Sequence, residues 1–174
     1  MSAVFFPGGH LWHGVRHADG SWTGAGDAQG VLAIPDKVAA VAGSGGAPGE
    51  TQFMFTTEDG HLWHTLRRAD GSWTGLGDAT AVIGVPAPIV TVAGSGGASG
   101  ETQYLFSNSG VGLWHSLRRA DGSWTGLGDA KAALPVPAPF VDGPFGAVAA
   151  ANVPAANGPS GETQFMFVAY IRLT

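Results

Sequence analysis

The sequence contains no cysteine, which excludes disulfide bonds and thiol chemistry without indicating a compartment. Charged residues make up 12% of the chain, about half of the share that is usual in soluble domains. Lysine and arginine form no basic block, and the formal net charge is −5. A surface for non-specific binding of nucleic acid is therefore not expected.

Long hydrophobic stretches are missing as well. No apolar run reaches the roughly 20 residues that a membrane-spanning helix requires. The N-terminus, MSAVFFPGGH, has neither the basic start nor the extended apolar segment of a secretion signal. We expect a soluble chain without a signal peptide or a membrane span, and the sequence leaves its cellular location open.

What the chain does contain is a repeat with a period of 51 residues. Two series of tryptophans recur at this spacing: Trp12, Trp63 and Trp114, and Trp22, Trp73 and Trp124. A second string, Gly-Glu-Thr-Gln-aromatic, begins at Gly49, Gly100 and Gly161. The last of these gaps is 61 residues, so about ten residues have been inserted between Leu134 and Pro159. Self-similarity at a fixed period indicates a repeat architecture.

Each unit of the repeat reads as four short β-strands. In the second unit these are Lys37–Gly43, Thr51–Thr57, His61–Arg68 and Trp73–Leu76. Apolar and polar residues alternate along them, and the turns between them are rich in Asp, Gly and Ser. No segment shows a sustained helical period with capping residues. The sequence therefore predicts an all-β fold.

The chain opens near the third strand of one unit and ends after the second strand of another. The units span about 3–36, 37–88, 89–139 and 140–174, and the first and last are partial. Together they amount to three complete units. We treat residues 1–174 as a single repeat domain.

Many short, evenly spaced strands with periodic glycine and aromatic residues predict a β-propeller with four-stranded blades. Three blades are too few, because propellers usually have about four to eight. Two chains would give six blades if the last strands of each chain completed the first half-blade of the other. We therefore expect a homo-oligomer, in the simplest case a C2 dimer without open sheet edges. The alternative is a β-trefoil, which also has three four-stranded repeats and closes as a monomer.

The repeat has the motif Leu-Trp-His-x-[Leu/Val]-Arg-[Arg/His]-Ala-Asp-Gly-Ser-Trp-Thr-Gly. This motif resembles the repeat of bacterial propeller lectins related to the Photorhabdus lectins, and it is similar to tandem repeats of actinobacterial proteins. The resemblance covers about residues 3–168. It implies a propeller that binds fucose-type or O-methylated sugars in pockets between blades. Members of that lectin group carry seven blades on one chain, whereas this chain holds three repeats.

Four series of recurring side chains are candidates for sugar binding. Tryptophan rings stack on the apolar face of a pyranose, and arginine makes directional hydrogen bonds to neighbouring hydroxyls. Two series are tryptophans: one is Trp22, Trp73 and Trp124, and the other is Trp12, Trp63 and Trp114. The third series is Arg16, Arg67 and Arg118, and the fourth is His13, His64 and His115.

Each series also has a structural alternative. The Trp63 series could pack between blades as core, and the Trp73 series could also serve for packing. The Arg67 series could form salt bridges to Asp70 or to a neighbouring blade. The His64 series could be buried and hydrogen-bonded, because Leu62 and Leu66 flank His64 on its own face.

An enzyme is not expected, because a catalytic site is normally singular and every reactive side chain here recurs in equivalent settings. No catalytic residue, metal site or cofactor is predicted. His61 and His64 lie three apart on a strand, so they point to opposite faces and cannot bind one ion. Repetition favours a multivalent carbohydrate-binding protein with glycans as partners, because avidity strengthens weak single sites. The alternative is a non-catalytic propeller with a structural or protein-interaction role.

Overall fold

The computed structural model of this chain describes residues 9–46, 48–86, 88–97, 100–110, 112–134, 145–153 and 162–169. Within these ranges the strands form two four-stranded and two two-stranded antiparallel sheets. The strands are β1 (Trp12–His13), β2 (Gly26–Asp27), β3 (Val38–Gly45), β4 (Glu50–Thr57), β5 (Leu62–Arg68), β6 (Gly77–Asp78), β7 (Ile89–Gly96), β8 (Thr102–Asn108), β9 (Leu113–Arg118), β10 (Gly128–Asp129), β11 (Phe145–Val153) and β12 (Glu162–Ala169). The helices are α1 (Ala28–Leu32), α2 (Ala79–Ile83) and α3 (Ala130–Ala133).

The sheets follow the repeat. The second and third units each form a four-stranded sheet in chain order, β3-β4-β5-β6 and β7-β8-β9-β10. Strands β1 and β2 are the third and fourth strands of the first unit, and β11 and β12 are the first and second strands of the last unit. The predicted all-β chain with four-stranded antiparallel units is confirmed.

The strand register separates the side chains of each sheet into two faces. In the second unit Met54 pairs with His64 across β4 and β5, and we call their side the histidine face. Alternate residues point the other way, so Phe53 and Arg67 lie on the opposite side. Trp73 bridges to Arg67, and we call this side the tryptophan face. The third unit carries the same two faces.

Successive units pack face to face. The first strands β3 and β7 lie side by side, and so do β7 and β11. Met54 and Leu62 on the histidine face of the second unit share a core cluster with Val92 and Phe106 of the third unit. A second cluster joins Leu11 of the first unit to residues of the second unit. The second and third units therefore bury part of each other's surface, as expected for a repeat architecture.

The described strands form separate sheets and no closed barrel. A β-trefoil is built around a barrel, so this arrangement argues against the trefoil alternative.

The end of each unit differs from the prediction. The sequence predicts a fourth strand at Trp73–Leu76, but the strand that pairs with β5 is Gly77–Asp78. Trp73 forms only an isolated bridge to Arg67. Asp78 then caps α2, because its Oδ1 accepts a hydrogen bond from the Ala81 amide at 3.1 Å. A five-residue helix is too short to display the helical period, so no helical pattern is visible there in the sequence.

Gly60, in the turn between β4 and β5, connects the second unit to the third. Its φ is +84°, and its carbonyl oxygen accepts a hydrogen bond from the Ile89 amide at 3.0 Å. A Cβ at this position would overlap Pro88. We expect Gly60→Ala to lower the free energy of unfolding by about 2 kcal/mol or more, because the backbone and the neighbouring unit both oppose the methyl group. Urea denaturation measures this loss.

The matched control is Gly75→Ala, where an added Cβ would meet nothing within 4 Å. This change should shift the free energy of unfolding by less than about 1 kcal/mol. If both variants lost the same stability, the turn would not be a close contact between units.

Candidate functional site

A cluster of four side chains lies where the second unit meets the third. The ring of His64 approaches Trp124 edge-on at 5.2 Å between centroids, and it approaches Tyr104 at 6.4 Å. Tyr104 and Trp124 contact each other at 5.8 Å. The Arg118 guanidinium carbon lies 5.9 Å from the Trp124 ring centroid, within the range of a cation–π contact. The histidine comes from one sheet, and the other three residues come from the next.

The same cluster recurs one interface earlier. His13 of the first unit approaches Trp73 edge-on at 5.1 Å and Phe53 at 5.9 Å. The Arg67 guanidinium carbon lies 5.7 Å from the Trp73 ring centroid. Phe53 takes the place of Tyr104, so the second copy lacks the phenol hydroxyl. The structure thus brings together one predicted histidine, one arginine and one tryptophan at two successive interfaces.

Hydrogen bonds hold the buried end of the complete cluster. His64 Nε2 lies 3.2 Å from Gln52 Oε1, and the Tyr104 hydroxyl donates to the same oxygen at 3.5 Å. Burial, assisted by the positive charge of Arg118, lowers the pKa of His64 from 6.5 to about 3. Burial also raises the pKa of Tyr104. His64 is therefore a neutral hydrogen-bonding group, and Arg118 supplies the charge of the cluster.

The other two repeated histidines follow the same trend. Burial and the charge of Arg67 lower the pKa of His13, and burial lowers the pKa of His115. His115 Nε2 lies 3.2 Å from Gln103 Oε1, in the same position as the His64–Gln52 contact. The predicted alternative of a buried, hydrogen-bonded histidine therefore describes His64 and His115.

The arginines of the cluster lack a carboxylate partner. Among the described residues, no ion pair involves Arg67 or Arg118, so the salt bridge to Asp70 that the sequence left open does not form. The Nε atoms of Arg67 and Arg118 are buried without a hydrogen-bond partner. Asp70 instead accepts a hydrogen bond from the Ser72 amide at 2.8 Å and stabilises its own turn.

A cavity of about 330 Å³ opens beside the His13 cluster. Its walls include His13, Arg16, Phe53, Arg67 and Arg68. Two of these arginines are adjacent on β5, where side chains alternate between faces. Both border the cavity, and Arg68 is the last residue of the strand.

The remaining candidate residues lie outside the two clusters. Trp63 and Trp114 are half-buried against the hydrophobic clusters between units, and Trp63 Nε1 donates to Thr57 Oγ1 at 3.1 Å. They match the structural alternative of packing between sheets. In the first unit, Trp12, Trp22 and Arg16 are exposed.

Sequence reasoning missed the aromatic residue of the second strand. Phe53 and Tyr104 belong to the Gly-Glu-Thr-Gln-aromatic string, which repeats as regularly as the tryptophans. Glycines opposite them explain their position: a Cβ on Gly94 would lie 2.9 Å from Tyr104 Cε1, and one on Gly43 would lie 3.0 Å from Phe53 Cε1. The recurring glycine in the first strand was the available signal.

Within the described ranges, no group of three histidine or acidic residues is placed to hold a metal ion. None of the described helices is both long and apolar enough to cross a membrane.

Comparison with solved structures finds a similar chain, the BP39L lectin from Burkholderia pseudomallei, with a TM-score of 0.52 and 23% sequence identity. The match covers 76% of this chain and 36% of the lectin chain, so this chain spans about a third of that lectin's length. At this identity the likeness establishes a shared fold. No protein-family model and no curated protein sequence matches this chain.

The buried histidine predicts how stability depends on pH. In the unfolded chain His64 protonates near 6.5, whereas in the folded protein it stays neutral to about pH 3. Acid therefore favours the unfolded state, and the stability present above pH 6.5 declines as the pH falls toward 3. We expect a loss of roughly 2–3 kcal/mol between pH 7 and pH 4.5 from this group. Urea denaturation at fixed protein concentration across this range measures it.

In His64→Gln, the stability curve should be flatter over the same range. The exposed His17 provides the control, and His17→Gln should keep the wild-type dependence. A His64→Gln variant as acid-sensitive as the wild type would show that burial of this histidine does not control the response.

Proposed function

We propose that this chain is a multivalent carbohydrate-binding protein. Its units are blades of a β-propeller, and sugars bind in equivalent pockets between neighbouring blades. The observation that carries the proposal is the repeated cluster of histidine, arginine, tryptophan and a second aromatic at two successive interfaces. One site repeated in this way suits multivalent binding of a glycan surface, where avidity adds to weak individual affinities.

The chemistry of the cluster suits a sugar. Trp73 and Trp124 are half-buried, so each packs on its neighbours and still presents part of its ring to a ligand. Arg67 and Arg118 form no ion pair among the described residues, which leaves N–H groups available to hydroxyl oxygens. The cavity beside His13 has a volume of about 330 Å³, within the range of small-ligand pockets.

The fold supports the same proposal. The similar chain from Burkholderia pseudomallei is described as a lectin, and the repeat motif resembles that of the Photorhabdus-type propeller lectins. Fucose or an O-methylated sugar is the ligand that this resemblance implies. A dimer of six blades is part of the proposal, because the chain supplies only three units.

A non-catalytic structural or protein-interaction propeller is the second candidate. The observation that favours it is the packing of the cluster itself. His64 is largely buried, and Tyr104 is fully buried. On this alternative the aromatic residues serve only to join the sheets.

A glycan array separates the two functions. We expect the wild-type chain to bind a small set of glycans, with fucosylated or O-methylated sugars among them. The double variant Arg67→Gln/Arg118→Gln should weaken this binding about tenfold or more, because each change removes charge-assisted hydrogen bonds from one site.

The control is Lys37→Gln/Lys131→Gln, which changes the net charge equally at positions outside the cluster. This variant should bind like the wild type. Absence of binding to any glycan, or unchanged binding by the arginine variant, would remove support for the sugar site and favour the interaction propeller.

A further inference from the structure

Each end of the described chain carries half of a sheet. By the period of the repeat, β1 and β2 occupy the third and fourth strand positions. Strands β11 and β12 occupy the first and second, and they pair Ala150 with Phe165 as β3 and β4 pair Gly43 with Phe53. Among the described strands, neither half-sheet is paired with the other. The two halves together would make one complete unit.

Two exposed apolar residues mark the missing contact. Val41 is 51% exposed, whereas its equivalent in the third unit, Val92, is 5% exposed. Met166 is 76% exposed, whereas its equivalent in the second unit, Met54, is 0% exposed. Val92 and Met54 are both buried in one core cluster between the second and third units. Val41 and Met166 therefore correspond to the two sides of the Val92–Met54 contact. In the single chain, each of them lacks the residue that would lie opposite it.

A cavity of about 300 Å³ lies next to Val41. Its walls include Leu11 of the first unit and Phe53 on the tryptophan face of the second unit. In the third unit the corresponding face is covered by the first two strands of the preceding unit, and Tyr104 is fully buried there. Phe53 remains partly exposed. The cavity is the space that the first two strands of a complete first unit would fill.

We propose that the C-terminal half-sheet of a second copy of this chain fills this cavity and pairs with β1, and that the junction builds a third sugar site shared between the two copies. The shared site rests on the proposed function, because it uses the same cluster as a sugar site. One copy supplies Arg16 and Trp22, and the other supplies His115. The corresponding residues of the complete cluster are Arg118, Trp124 and His64.

The first unit already displays its share of this site. Trp22 is 69% exposed, and Arg16 is exposed, whereas the equivalent Trp73 and Arg67 are half-buried. Arg16 and Trp22 keep the same bridge as their equivalents, so the local geometry is in place before a partner arrives. A symmetric pair of copies would hold two such junctions, and thus two shared sites beside the sites within each chain.

The first experiment measures the oligomeric state by sedimentation equilibrium. We expect the wild type to be a dimer, and Val41→Lys and Met166→Lys to be monomers, because each places a charge in the junction. Both residues are exposed in the separate chain, so circular dichroism should show an intact fold. The control is Val82→Lys, another exposed valine that lies outside the junction, and it should remain a dimer. A monomeric wild type, or dimers of both junction variants, would overturn the junction.

The second experiment asks whether two copies share one site, with methyl α-L-fucoside as the probe in calorimetry. In an Arg67→Gln/Arg118→Gln background, binding is left to the shared sites. Adding either Arg16→Gln or His115→Gln should abolish it. Co-refolding the two variants in equal amounts should restore about a quarter of the sites, because half of the dimers are mixed and one of their two junctions is intact.

The control tests a site held within one chain. In an Arg16→Gln/Arg67→Gln background, adding Arg118→Gln or His64→Gln removes the remaining site. Co-refolding these two variants should restore nothing, because both residues belong to the same chain.

The outcomes separate the two proposals. If the wild-type dimer binds neither this probe nor any glycan of the array, the proposed function and the shared site both fall while the junction stands. If the dimer binds the probe but the co-refolded mixture of the Arg16→Gln and His115→Gln variants regains no binding, the shared site alone is overturned.

Discussion

Tyr104 is buried between two sheets, and the packing of the described sheets depends on contacts of this kind. Its ring lies against Gly94 of its own sheet and faces His64 of the preceding sheet, and its hydroxyl reaches Gln52 there. A fully buried aromatic side chain of this size contributes about 2–3 kcal/mol. No described sheet has a second layer of its own, so each depends on its neighbours for this burial.

The same contact sets the electrostatics of the candidate site. Burial keeps His64 neutral, so it acts as a hydrogen-bonding group, and Arg118 is the permanent charge next to Trp124. Under the proposed function, packing and recognition use the same side chains. A substitution in this cluster would then affect cohesion between units as well as ligand binding.

The period of the repeat predicted most of the fold, because the side chains that repeat are those that face neighbouring sheets. The second and third strands of the second unit were predicted nearly at their observed bounds. The fourth strand and the short helix were missed, since Asp78 acts as a cap over only five residues.

The composition of the site was less predictable. Arg67 and Trp73 were found because they recur. Their assembly with His13 depends on the next sheet, and no local pattern reveals that neighbour. Phe53 was overlooked because its alternation reads as ordinary strand packing.

In the proposed assembly, one strand of the described half-sheets of each copy joins a sheet of the other. This pairing has a kinetic consequence. The corresponding strands β4 and β5 are held over seven residue pairs. Releasing one copy would require breaking such a set of backbone hydrogen bonds at once. The dimer would therefore dissociate slowly after dilution, even at concentrations where the monomer is favoured at equilibrium.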